Sequence, residues 1–353
     1  MGTDGPEQCI RVQPQMTTRR GIIAGGNWIV DHVKVIDRWP ERDGLAYVLA
    51  ETASNGGAPY NLLIDLARLG VAFPLAAVGR VGDDEDGRRI LADCAEHGID
   101  STQLRTTREA PTSVTDVMTE RATGRRTFFH QRGANALLAA EHFDFQRTQA
   151  RIFHLGYLLL LDALDAPAPD GRPHAAELLA RARTAGLLTS LDCVSENSRR
   201  CETVVMPVLP FVDVLFVNDF EAEQLTGRKL GRGGELDRAA VEAAVRQLLA
   251  GGVQRWVIVH FPEGACAGSR DGELCWQPSV RVPGDRIAGT AGAGDAFAAG
   301  VLTGLHEEWT LPRCLELGVS VAAASVHRAT CSEAVRPIAE CMELARSYGF
   351  RSL

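Results

Sequence analysis

The chain has 353 residues, 45% of them hydrophobic and 23% charged, with a formal net charge of −8. That length supports one large domain with a smaller excursion, and the composition is ordinary for a globular protein. The acidic balance argues against nucleic acid or an anionic membrane surface as a partner, and no apolar run approaches the ~18 residues of a membrane span.

Residues 1–20 are polar, lack an apolar signal core and read as a flexible leader. A short apolar strand, Gly21 to Ala24, then runs into Gly25-Gly26-Asn27. Asp31 to Asp37 alternates polar and apolar, the mark of a strand with one wet face, and Tyr47 to Ala50 is a candidate partner. Such strands suit a small sheet projecting from the main body rather than a buried parallel sheet. Gly56-Gly57-Ala58-Pro59-Tyr60-Asn61 opens a helix from Leu62 to Leu69. A buried strand follows over Ala72 to Val78, then a loop from Gly79 to Gly87 and a helix from Arg88 to His97. Ser113 to Thr119 and Arg126 to His130 alternate around Thr123-Gly124 and read as a hairpin rejoining the small sheet, so that sheet draws on about residues 31–51 and 112–131.

From residue 151 strands and helices alternate. Strands are expected at Ile152–Leu155, Leu187–Asp192, Val214–Asn218 and Trp256–His260, and helices at Ala175–Ala185, Asp219–Leu225 and Leu236–Ala250. That order implies a parallel sheet covered on both faces. Cys266 to Gln277 reads as a hairpin turning at Asp271-Gly272, and three helices, Asp295–Leu305, Pro312–Val326 and Ile338–Tyr348, close the chain. Gly231 to Gly234 is the most linker-like point. The nine cysteines are odd in number and none has Cys-x-x-Cys spacing, which fits reduced thiols in a cytoplasmic protein better than disulfides or a direct metal site.

The most informative stretch is Gly289-Thr290-Ala291-Gly292-Ala293-Gly294-Asp295, followed by an apolar helical run. Small residues let backbone approach a ligand closely, and a helix start offers unpaired N–H groups with partial positive charge. Gly292, Ala293 and Gly294 therefore read as an anion hole for a phosphate. Asp295 is out of place beside an anion unless it acts as a base, taking a proton from a hydroxyl that attacks phosphorus. A plain helix cap would also place an Asp here.

Four segments in order resemble the PfkB, or ribokinase-like, carbohydrate kinases over about residues 21–350. They are Gly56-Gly57 with Asn61; Gly79, Gly82, Asp84 and Gly87; Asn218 with Glu221; and Gly292-Ala293-Gly294-Asp295. The resemblance implies an α/β fold, a ribokinase-like three-layer α/β/α sandwich with a small β-sheet lid over residues 21–353. It implies an ATP-dependent phosphotransferase acting on a hydroxyl of a sugar or sugar-like substrate, with Asp295 as base. It also implies ATP and Mg2+, with Asn218 and Glu221 organising the metal and its waters, and a homodimer through the lid. No Gly-x-x-x-x-Gly-Lys-Ser/Thr loop is present, so the enzyme is not of the Walker type. On spacing alone, Asn218 and Glu221 read first as a strand-end turn with a helix-start Glu favoured by the dipole, and only the resemblance gives them a role at the metal. Asp31 resembles the family's sugar-binding carboxylate, which can accept two hydroxyl hydrogens; a solvated loop Asp is the alternative. Gly56, Gly57 and Asn61 complete the expected substrate site.

Asp84 lies in an acidic run at a helix start and is left outside the catalytic set, and Asn135 reads as structural. Trp28, Phe128 and Phe129 are candidate platforms for a sugar or a base, with lid core as the alternative, and Trp28, Tyr60 and Phe129 are candidates to stack on a base, which keeps a nucleoside kinase open as a second reading. A third is a sugar-binding or sensing homologue with weakened catalysis. Two departures motivate it. Gly289 stands where the family has an acidic residue of a monovalent-cation site, which puts that ion in doubt, as does Ala329-Thr330-Cys331 in place of a Gly-Ala turn. Pro262 has no N–H to offer a phosphate.

Overall fold

The structure, a computed structural model, describes residues 19–196, 198, 200–232, 235–328 and 330–353. The expected leader thus lies outside the described residues except for Arg19 and Arg20, and so do Gly233, Gly234 and Ala329.

The main sheet begins with β1 (Ile22–Gly26), and its other parallel strands are β4 (Leu75–Gly82), β5 (Asp100–Thr107), β8 (Ile152–Leu158), β9 (Leu188–Cys193), β10 (Val214–Asn218) and β13 (Trp256–Phe261). The hairpin β14 (Gly264–Ser269) and β15 (Leu274–Pro278) adds an antiparallel edge, giving the order β15-β14-β13-β10-β9-β8-β1-β4-β5. A second sheet, ordered β3-β2-β6-β7, comprises β2 (Ile29–Ile36), β3 (Val48–Gly56), β6 (Ser113–Glu120) and β7 (Arg126–Gln131). β11 (Gly231–Arg232) and β12 (Glu235–Leu236) form a short ribbon.

Period-two alternation sorts the strand residues into two cores. Ile22, Val214, Phe216 and Ile258 face one layer of helices: α1 (Ala58–Leu69), α2 (Glu85–Glu96), α7 (Ala293–His306), α8 (Leu311–Ser325) and α9 (Ile338–Tyr348). Ile23, Leu215, Val217, Val257 and Val259 face the other: α3 (Asp162–Asp165), α4 (His174–Thr184), α5 (Asp219–Thr226) and α6 (Arg238–Ala250). The result is the three-layer sandwich expected from the alternating strands and helices.

Several boundaries differ from the sequence reading, each for a local reason. The stretch Gly79 to Gly82 is not loop but the end of β4, and its glycine at 79 leaves room for the Trp28 ring, which a Cβ there would meet at 2.2 Å. β5 was not expected, because Asp100–Thr107 is an edge strand with mostly polar, exposed side chains. β3 runs on to Gly56, beyond the expected Ala50, and its exposed edge likewise carries little apolar signal. α1 begins at Ala58, with Pro59 in its first turn where a missing N–H costs nothing, so Tyr60 and Asn61 are helical.

Asp84 caps α2. Its carboxylate accepts from the Gly87 N–H at 2.8 Å and from the Thr112 N–H and hydroxyl at 2.7 and 2.6 Å, tying the α2 corner to the entry of β6. Asn135 clamps the backbone of Trp28, accepting from its N–H and donating to its carbonyl, both at 3.0 Å. The eight described cysteines are free, and among the described residues no helix is long and apolar enough to cross a membrane.

Candidate active site

The C-terminal ends of the parallel strands gather Asn27, Tyr157, Asp192 and Asn218 along one edge of the sheet, where open α/β folds bind ligands. α7 starts at the same edge. Its cap, Gly292, has φ 74°, and a Cβ at that position would strike Cys331 at 2.7 Å. A left-handed glycine thus lets the turn pack against the loop at 331 and aims the first amides of α7 outward. The Ala293 N–H reaches the Thr290 carbonyl at 3.3 Å, while those of Gly294 and Asp295 come too early in the helix for an i−4 partner.

Asp295 is the third residue of α7, not its cap, and is 4% exposed. Its Oδ2 accepts from the Asn61 amide at 2.8 Å, and the Tyr157 hydroxyl reaches Oδ1 at 2.7 Å and Oδ2 at 2.8 Å. Burial pushes the Asp295 carboxyl up to about 6; the bonds from Tyr157 and Asn61 oppose that rise, and Asp31 adds to it. Asp31, half-buried on β2, is itself pushed up to about 6 by burial, against the opposing influence of Thr115 and His32.

Asp31 pairs across to β3 next to the turn at Gly56-Gly57. Gly57 has φ 94°, and a Cβ there would come within 2.1 Å of the Asn27 carbonyl. The structure therefore brings Asp31, Gly56, Gly57, Asn61 and Asp295 into one neighbourhood. Asn61 differs from expectation in detail: its amide N–H is spent on Asp295, and its Oδ1 is buried with no partner among the described residues.

Asn218 and Glu221 form a reciprocal capping box on α5. The Asn218 N–H donates to Glu221 Oε2 at 2.9 Å, and the Glu221 N–H donates to Asn218 Oδ1 at 2.8 Å. The Ser195 hydroxyl donates to Glu221 Oε1 at 2.7 Å and accepts from the Asn218 amide at 2.7 Å. Burial pushes Glu221 up to about 7, and among the charges that raise it further is Asp295. Asp192 is raised well above the ordinary range by burial, then by Glu221 and Asp295. Glu221 thus raises Asp192, and the charge on Asp295 raises both of these buried carboxyls. A divalent cation with its waters beside Asp192 and Glu221 would relieve the repulsion between those two, although among the described residues no cluster of three metal-ligating side chains is preformed.

The aromatic platform is corrected at two positions. Trp28 is fully buried, donates Nε1–H to the Val78 carbonyl at 2.9 Å and meets Tyr60 edge-on, so it belongs to the core. Tyr60 directs its hydroxyl to Asp93, away from Asp295. Phe128 and Phe129 are exposed on the edge strand β7, Phe129 stacking on Trp39 with ring centroids 6.2 Å apart. His154 is a satisfied core residue bonded to Ser190 at 2.9 Å, and burial pushes His260, which packs on Phe297, down to about 4. The residues that sequence reasoning missed are Tyr157, Asp192 and Ser195. Only their place at strand ends could have drawn attention to them.

The chain matches the pfkB family carbohydrate kinases over residues 26–338. It belongs to that family. It is accordingly a kinase that transfers phosphate to a hydroxyl. It is similar to a probable fructokinase-7 of Arabidopsis thaliana, with 28% identity over 82% of this chain and 80% of the relative. It is also similar to an ATP-dependent ribose-1-phosphate kinase of Halopiger xanaduensis, with 29% identity over 86% and 90%. Among solved structures, an Arabidopsis thaliana ribokinase complexed with ribose and ATP superimposes with TM-score 0.74 at 20% identity, covering 92% of this chain and 98% of that one. A Thermotoga maritima ribokinase gives TM-score 0.75 at 20% identity, covering 93% and 99%. These last two likenesses speak for the ribokinase-like fold.

Proposed function

We propose that this kinase moves the terminal phosphate of ATP to a hydroxyl of a sugar or sugar phosphate, with Asp295 as the general base. The observation that carries this reading is the position of Asp295. A buried carboxylate with a raised affinity for protons stands in the first turn of α7, beside amides that lack helical partners, and shares its neighbourhood with Asp31. A base poised near neutrality can take a hydroxyl proton as the bond to phosphorus forms, and positioned amides can hold charge that builds on the phosphoryl oxygens. In this reading Gly292, Ala293 and Gly294 frame the anion hole. Asp31 accepts hydrogens from two hydroxyls of the acceptor, and Gly56 and Gly57 let the backbone come close to it.

Mg2+ bound with the nucleotide would neutralise phosphate charge. Glu221, Asn218 and Asp192 are the residues placed to hold its waters, and Ser195 keeps Glu221 oriented. Gly289 contributes no side chain to a monovalent-cation site, which argues against a strong potassium requirement. The sugar reading is preferred to the nucleoside one because Trp28 and Tyr60, two of the candidate stacking rings, are engaged elsewhere. The four-stranded sheet serves as a lid. Its exposed Phe128 and Phe129 on one edge strand, and Val48 and Leu49 on the other with Tyr47 just before it, are suited to burial against a second copy, and a cytoplasmic homodimer is our reading of these apolar residues and the eight free thiols.

The test is Asp295→Asn, assayed for ATP consumption against pentoses, hexoses, sugar phosphates and nucleosides. The expected loss is ~10²–10⁴-fold in kcat with the best wild-type substrate. Turnover near that of the wild type would overturn the assignment of the base.

A further inference from the structure

The Tyr157 hydroxyl is shared between both oxygens of Asp295, at 2.7 and 2.8 Å, and Asn61 donates to Oδ2 alone, at 2.8 Å. A phenol carries one hydrogen, so Tyr157 must divide it between Oδ1 and Oδ2 or swing toward one of them. Asn61 already occupies Oδ2. The oxygen left with the most free acceptor capacity is Oδ1.

Tyr157 is itself held. It lies near the end of β8, and its N–H donates to Asn27 Oδ1 at 2.8 Å, with Asn27 just past the end of β1. The hydroxyl thus approaches Asp295 from β8 of the main sheet, whereas the Asn61 amide approaches from α1. Nothing in the site as read from sequence gives Tyr157 a role.

We propose that Tyr157 is a positioning residue for the base: its hydroxyl keeps Asp295 ionised in a buried site and leaves Oδ1 as the oxygen that takes the acceptor proton. This rests on the reading of Asp295 as base. Burial disfavours the Asp295 carboxylate, and a hydrogen bond to its charged form offsets that penalty. When an acceptor hydroxyl arrives at Oδ1, the phenol hydrogen can swing to Oδ2, so the base exchanges one donor for another without being stripped of both. The proton passes from the acceptor hydroxyl to Oδ1 as the acceptor oxygen bonds to phosphorus. Tyr157 keeps its own proton throughout, since burial, with Asp295 and Asp192 nearby, raises the phenol further above its ordinary value.

Other titrating groups bear on the same base. Asp31 from β2 raises Asp295. Asp65 from α1, Asp192 from β9 and Glu221 from α5 are each raised by Asp295, as is the Cys331 thiol. His260 from β13 stays neutral near the first turn of α7, packed on Phe297. Asp31 and Asp295 both lie at about 6, so one wild-type profile does not separate them. Tyr157, however, is bonded to Asp295 and not to Asp31.

The experiment is the pH dependence of kcat and kcat/KM for Tyr157→Phe beside wild type and Asp295→Asn. Tyr157→Phe keeps the ring and removes the donor. The acid limb should move up by about one pH unit, and kcat at pH 6 should fall about fivefold while KM changes little. Placing 3-fluorotyrosine at 157 should do the reverse, because a more acidic phenol is a stronger donor, and the limb should move down. That variant keeps the question answerable if Tyr157→Phe folds poorly. Profiles that superimpose on wild type for whichever variants fold, with Asp295→Asn inactive, would overturn the role of Tyr157 alone. An active Asp295→Asn would instead remove the base on which it depends.

Discussion

Gly56 lies so close to Asp31 that a Cβ at position 56 would come within 2.5 Å of the Asp31 Oδ2. The hydrogen of glycine is what lets the Asp31 carboxylate rest against the backbone of β3. Gly56→Ala should push that carboxylate out of place while leaving Asp295 untouched. The expected result is a rise of ~10- to 100-fold in KM for the acceptor with a smaller change in kcat, since the loss falls on binding. Steady-state kinetics with the acceptor varied at saturating ATP checks it, and an unchanged KM would show that Asp31 does not hold the substrate.

The raised carboxyls at Asp31 and Asp295 set a second expectation. Both must be ionised to work as assigned, and both lie at about 6. The kcat/KM of the wild type should therefore fall as pH drops through 6, with a slope steeper than one where both protonate. A single group at an ordinary carboxylate value would leave activity flat down to about pH 5. A kcat/KM profile level between pH 7 and 5 would contradict both assignments.

Glu221 should link metal dependence to pH. Its carboxyl is raised to about 7, so below pH 7 a proton competes with Mg2+ for the same neighbourhood. The Mg2+ concentration giving half-maximal rate should fall as pH rises from 6 to 8. In Glu221→Gln it should be ~10- to 100-fold higher, and its pH dependence should flatten. Titrations of Mg2+ at fixed total ATP across that pH range, with Glu221→Gln beside wild type, measure it.

How much of this was legible in sequence depends on the kind of signal. The regular half of the chain, from β8 to β13, could be read because buried strands are apolar and β10 matched its expected limits, Val214–Asn218. β5 and the far half of β3 could not, since edge strands bury little and carry polar residues. Within the site, Asp295 was legible because a carboxylate among small residues is chemically odd. Tyr157 was not: it is an aromatic in an apolar run, and its partner lies 138 residues away. Trp28 was misplaced as a platform for a related reason, because apolar composition does not say which way a ring turns, and Gly79 makes room for it in the core.

A last expectation concerns stability. Asp65 sits one turn beyond Asn61 on α1, is fully buried, and neither of its carboxylate oxygens has a hydrogen-bond partner among the described residues. Burial raises this carboxyl well above its ordinary value and the charge on Asp295 raises it further, against the opposing influence of Ser332 and Arg68. The folded state therefore holds the Asp65 proton more tightly than the unfolded chain does. By linkage, stability is greatest below the unfolded value of about 4 and declines as pH rises from there through the raised folded value. Asp65→Asn fills the same space without a charge to desolvate. It should raise stability at pH 8 by ~1–3 kcal/mol, with the gain shrinking toward pH 4. Thermal melts of wild type and variant across that range decide the matter. A destabilised variant at pH 8 would mean that the Asp65 carboxylate is charged and favourably engaged in the folded protein.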